Sequence, residues 1–196
     1  MEVTITNFTF TGLTTAINQS SVAPLTVVNT YITGSATGIN FEEPLSLIDS
    51  VISGSSGVQI VTGTAGAHLL VERSLIVGGG SHGIAIESTN FVRIVDSTIA
   101  YNAGDGVVFT SSTLGSDFGL TLFLQNSIIY GNTLYGVTLN VPAPTQVYLA
   151  GNGVGGNGSG NYNNVASVGD VTLTAAPFTN QSGGDYSLTS TAGGGA

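Results

Sequence analysis

One register recurs seven times along this chain. Its anchor positions are Asn7, Asn29, Asp49, Arg73, Asp96, Asn126 and Gly151, separated by 20 to 30 residues. Four residues before the anchors stand Val3, Leu25, Leu45, Leu69, Val92, Leu122 and Val147. Two before stand Ile5, Val27, Leu47, Val71, Ile94, Leu124 and Leu149. Three after stand Phe10, Ile32, Ile52, Ile76, Ile99, Ile129 and Val154. All three columns are apolar throughout. One turn later a small residue usually precedes alternating apolar ones, as in "GINF", "GVQI", "GIAI", "GVVF" and "GVTL". Each repeat therefore holds three short segments of period two, which is the strand period. No stretch carries a helical period.

A repeat that cannot bury its own apolar face must stack on its neighbours. Three strands per coil, each pairing with its equivalent about 4.8 Å away, give an all-β chain wound as a parallel β-helix. Seven coils make a rod of roughly 30–35 Å. The expected boundaries are a β-helix over residues 1–170, then a closing segment and flexible tail over 171–196. Within the first part, the glycine-rich "AGNGVGGNGSGNYNN" over 150–164 reads as a loosened last coil or a linker.

The coil pattern, in "VRIVDSTIAYNAGDGVVF" and "LFLQNSIIYGNTLYGVTL" above all, resembles the right-handed parallel β-helix superfamily, the pectate-lyase-like fold. The resemblance covers about residues 3–165. It speaks for fold and not for activity, because that fold carries many activities. It implies an asparagine ladder at the tight turn after the second strand. Asn7, Asn29, Asp49, Asp96 and Asn126 fit that ladder, since Asn and Asp tolerate left-handed backbone. The small polar residues that follow, Thr30, Ser50, Ser74, Ser97 and Ser127, run alongside it. Arg73 interrupts the pattern, by pointing outward or by a shift of register. "AAPFTNQSGGDYSL", residues 175–188, resembles the closing segment of many secreted β-helix proteins through Pro177, Phe178, Gly184, Asp185, Tyr186 and Leu188.

Family enzymes that cleave acidic polysaccharides work in a groove along the first strand of each coil. The expected outward column there is Asn18, Asn40, Gln59, Ala85, Val108 and Thr138, with Asn40, Gln59 and Thr138 as candidate ligand-binding residues. No member of the column ionises, and general acid–base catalysis needs groups that do. Nine residues after their anchors lie His82, Asp105 and Tyr135, which should stack at the lip of the groove. An imidazole, a carboxylate and a phenol in line are the candidate catalytic set, as base, orienter and acid. The segment "GGGSHGIAIES" resembles the Gly-His-Gly stretch of polygalacturonase-type hydrolases, but the paired aspartates and basic motif of that family are missing. Lyases of uronate polymers use Lys, Arg or calcium. This chain has no lysine, and its only cations are Arg73 and Arg93. Calcium ligation would fall to Glu87, Asp105 or Asp117, which take hard cations through oxygen but show no recognisable calcium spacing. No cofactor is expected.

The formal charge of −9 argues against a nucleic-acid partner, which would need Lys and Arg to displace counterions from phosphate. No apolar run is long enough to span a membrane. The absence of cysteine removes disulfides and thiolate sites. In later coils the outward positions turn apolar, with Leu70, Phe123, Tyr148, Leu75, Ile128, Val77 and Tyr130. Such a patch marks a contact surface for a second copy or an adjacent domain. The loop "TSSTLGSDFG" at 110–119 is the expected recognition element. The reading is a secreted or cell-surface β-helix module of a microbe. Its role is structural or adhesive, and it binds glycan or protein along one face. The alternative is a polysaccharide lyase or hydrolase using the groove.

Overall fold

The computed structural model describes residues 2–20, 23–62, 67–87, 91–110, 120–140, 145–166 and 169–189. The chain winds through three parallel sheets in strict rotation. Sheet A has seven strands: Val3–Thr6, Leu25–Val28, Leu45–Ile48, His68–Glu72, Phe91–Val95, Leu120–Gln125 and Thr145–Ala150. Sheet B has eight: Thr9–Thr11, Tyr31–Thr33, Val51–Ser53, Leu75–Val77, Thr98–Ala100, Ile128–Tyr130, Gly153–Gly155 and Val171–Leu173. Sheet C has seven: Thr15–Gln19, Thr37–Phe41, Ile60–Thr62, Ile84–Ile86, Val107–Phe109, Tyr135–Leu139 and Gly160–Asn163. The only helical turn among the described residues is a 3-10 turn at Gln181–Gly183. The fold is the parallel β-solenoid that the repeat implies.

The three apolar columns face inward and stack rung on rung. Leu45 pairs with Leu69, and Ile52, Ile76 and Ile99 pair in succession. Val27, Ile32, Ile39, Leu47, Ile76, Ile94 and Ile129 have no exposed surface. Each such side chain contributes about 1.5–3 kcal/mol by leaving water.

The corners explain the anchors. All seven hold left-handed backbone, from φ 46° at Arg73 to 68° at Gly151. Arg73 therefore keeps the register and points outward, where it grips Asp49 at 2.7 and 2.9 Å. Five residues later comes a second left-handed corner, held by Gly12, Gly34, Gly54, Gly78, Gly131 and Gly156. In the fifth coil this corner is Tyr101, at φ 54°.

The glycine-rich stretch 150–164 is neither linker nor loosened coil. Its strands Gly153–Gly155 and Gly160–Asn163 pair in register with the coil before. The boundary expected after residue 170 falls just before Val171–Leu173, which belongs to sheet B. The chain then turns back as an antiparallel hairpin, Phe178–Asn180 with Asp185–Leu188.

Candidate functional site

His82, Asp105 and Tyr135 occupy successive rungs, because the Gly83 amide donates to the Asp105 carbonyl and the Gly106 amide to that of Tyr135. The His82 ring lies over Gly104, where a Cβ would come within 2.6 Å of Nδ1. The backbone N–H of Asp105 donates to His82 Nδ1 at 3.0 Å. The Oδ2 of Asp105 is 3.3 Å from that nitrogen. One nitrogen cannot accept the amide proton and donate to the carboxylate together. In the neutral ring Nδ1 accepts, and the proton sits on Nε2.

Asp105 is 5% exposed. Its Oδ1 accepts from the Tyr135 backbone N–H at 2.9 Å and the Thr138 hydroxyl at 3.1 Å. Burial pushes this carboxyl upward. His82, whose Nδ1 can donate only when the ring is protonated, and hydrogen bonds from the Tyr135 amide and Thr138 outweigh it and hold the group below the ordinary carboxylate range. Asp105 is thus an anion at neutral pH, with no proton to give and little basicity. Tyr135 reaches the pair only through its backbone, and its phenol bonds to neither partner. The arrangement braces three coils.

The outward column of sheet C runs Asn18, Asn40, Val61, Ala85, Val108, Thr138 and Asn163. Gln59 does not belong to it. "GVQI" enters the sheet two residues later than its look-alikes, with Ile39 pairing with Ile60. Gln59 is fully buried and donates from Nε2 to the Val77 carbonyl at 2.6 Å. Thr138 is 2% exposed and spends its hydroxyl on Asp105. Neither can meet a ligand. Of the three ligand-binding candidates, Asn40 alone reaches the surface, where its amide donates to Asn18 at 2.8 Å.

Among the ladder candidates, Asn29 donates to Asn7 at 2.6 Å on the outside of the corner, and Asp49 is paired with Arg73. Asp96 and Asn126 make no side-chain bond to their neighbours. The continuous ladder lies one residue on and is buried. The backbone N–H groups of Thr30, Ser50, Ser74 and Ser97 each donate to the hydroxyl of the next coil, at 3.0–3.2 Å. Ser127 donates likewise to Asn152. A second ladder, six residues after the anchors, joins Gly79 to Asn102, Asn132 and Asn157. Its signal was an Asn or small residue recurring at that offset.

Glu87 is exposed, Asp105 is surrounded by donors, and Asp117 and residues 111–119 lie outside the described residues. Among the described residues no group of three or more His, Cys, Asp or Glu is placed to hold a metal. Among the described residues no helix is long and apolar enough to cross a membrane.

The apolar outward patch divides in two. On sheet B it is covered by the chain's own hairpin. Phe178 is 6% exposed and packs with Tyr186 against Val77, Ala100, Tyr101 and Tyr130. On sheet A it stays open. There Phe123 and Tyr148 pair in one column, stacked at 4.6 Å and 8°, and Phe91 leans on Phe123 from the adjacent column at 5.6 Å and 45°. The Phe123 and Tyr148 rings face one another along the rod, so their edges point outward.

No curated protein and no solved structure matches the chain. Residues 1–152 match the family model described as a right handed beta helix region, and with its three parallel sheets the chain belongs to that family.

Proposed function

We propose that this β-helix is a non-catalytic module of the cell exterior, structural or adhesive in role, that binds a glycan or protein along one face. The observation that carries this reading is the state of Asp105. The one carboxylate in contact with an imidazole at the groove is spent on a backbone amide and a hydroxyl of the next coil. The rest of the sheet C column has no ionisable side chain. A surface rich in Ser, Thr and Asn, with only 7% charged residues, supports a location outside the cell. The open sheet A strip of Leu70, Phe123 and Tyr148 suits a second copy or a neighbouring domain.

A polysaccharide panel incubated with the parent protein tests the reading, and no cleavage is expected. Cleavage that disappears in His82→Ala would replace it with a polysaccharide-active enzyme, the reading favoured by the His82–Asp105 contact. Solution mass measured over a wide concentration range tests self-association; a strict monomer removes the second copy as occupant of sheet A.

A further inference from the structure

A groove of about 360 Å³ runs along the rod between the anchor corners and the C-terminal hairpin. One wall is the anchor column Asp49, Arg73 and Asp96. The floor is the first residue of three sheet B strands, Val51, Leu75 and Thr98. The far wall is Tyr186 and Ser187 of the hairpin. The groove spans three rungs, about 10 Å. Its volume lies within the roughly 300–1,000 Å³ of small-ligand sites. Tyr31 pairs with Val51 at its N-terminal end and is 46% exposed. Its phenol lies near that of Tyr186.

We infer that this groove binds a short stretch of non-acidic glycan, neutral or amino-sugar, and that it is the ligand site of the module. The inference rests on the binding role proposed above. The chemistry of the walls points to it. Carboxylate oxygens and the Thr98 hydroxyl along an apolar floor match a ring that carries hydroxyls at its rim and C–H groups on its face. A ring leaning on Tyr31 meets an exposed aromatic surface. Charge fixes the class. Arg73 is held by Asp49 and by Glu72, so its cation is already matched. Among the described residues Asp96 has no partner, and the groove's lining, with Asp49, Arg73 and Asp96, carries one net negative charge. On a chain of net charge −9, that field repels uronates and other acidic sugars. The other cation, Arg93, stands in the column between Leu70 and Phe123 on sheet A, away from this groove.

The anchors also make the test clean. Asp96→Asn places at this corner the residue that Asn7, Asn29 and Asn126 already show to fit its left-handed backbone. Three probes serve: a glucosamine trimer, cellotriose and a galacturonate trimer, titrated into the isotope-labelled protein and followed by amide shifts. The first two should bind and move amides of Asp96, Thr98 and Ser187. The third should not bind. Asp96→Asn should weaken the glucosamine trimer about tenfold and leave cellotriose within about threefold. Tyr31→Ala should weaken both about tenfold. Binding of the galacturonate trimer as tight as the others, affinity unchanged in both variants, or no binding of any probe would overturn the inference. Shifts confined to sheet C would overturn the site and leave the module reading standing. Cleavage of a probe would overturn the module reading, whatever the groove does.

Discussion

Tyr101 holds left-handed backbone at a corner where the rest of its column is glycine. Left-handed geometry costs a bulky residue roughly 1–2 kcal/mol, and the other six corners of its column are glycine. Its ring lies over Gly131, where a Cβ would come within 2.6 Å, and meets Phe178 at 5.9 Å and Tyr186 at 6.2 Å. Contact with the hairpin must therefore exceed the strain. Tyr101→Gly should relieve the corner yet lower net stability by about 1–2 kcal/mol, and should open residues 175–189 to protease. Greater stability with an unchanged digestion pattern would mean that the ring contributes nothing to the clasp. Asp105 gives a second test. Its carboxyl lies below the ordinary value when folded, so its contribution is present above about pH 4 and is lost as pH falls through the folded value. Asp105→Asn should flatten that acid limb in urea titrations across pH. Asp105→Ala, which strands the Tyr135 amide and the Thr138 hydroxyl, should cost about 1–3 kcal/mol at neutral pH.

Among the elements, the ladders show what was legible in the sequence and what was not. The anchor columns were plain because each coil repeats the same demand: left-handed backbone between two buried strands. Even Arg73 obeys it, since an outward side chain is free to vary while the corner is not. Gln59 was misplaced because "GVQI" satisfies small–apolar–polar–apolar in either of two registers. Only the neighbouring coil decides, and it has a gap to fill. Gly79 brings no side chain to the asparagine ladder, and a Cβ there would come within 3.0 Å of Gln59 Cγ. Gln59 supplies the missing amide from another position, donating to a carbonyl as Asn102 and Asn132 do in their coils. Periodicity reads one coil at a time and misses this exchange between coils. The same limit hid the hairpin: an outward apolar column looks alike whether it faces water or a later segment. The exchange is testable by a double-mutant cycle. Gln59→Ala should cost about 2–3 kcal/mol through its void and the loss of its bond to the Val77 carbonyl, which keeps only that from the Gly54 amide. Gly79→Asn alone should cost about 1–3 kcal/mol by overpacking. The double variant should recover about 1–3 kcal/mol relative to their sum. Simple additivity would separate the two positions.

For the whole molecule, each coil bonds only to the coils on either side of it, so stability is a chain of nearest-neighbour terms. Coils inside the rod are held on two faces. Among the described residues the first coil has a neighbour on one side only, and Val3 is 45%, Phe8 57% and Leu13 43% exposed. Opening should therefore start there and travel inward, and amide exchange should report it as a gradient. The amides of Ile5 and Phe10 should exchange fastest among the inward positions of sheets A and B, and those of Ile76, Ile94 and Ile99 slowest. The hairpin adds an asymmetry. It crosses the rungs of Val77, Ala100 and Tyr130 from outside and ties three coils together at once. Sheet B amides there should be slower than sheet A amides of the same coils, and Phe178→Ala should erase that difference without changing the gradient from the first coil. The same nearest-neighbour logic sets mutational costs. Ile99→Ala, fully buried in mid-rod, should lose about 2–5 kcal/mol. Ile5→Ala, with a rung on one side only among the described residues, should lose about half as much. Equal losses at both sites, with uniform protection along the rod, would mean that the coils open together, and the nearest-neighbour description would fail for this molecule.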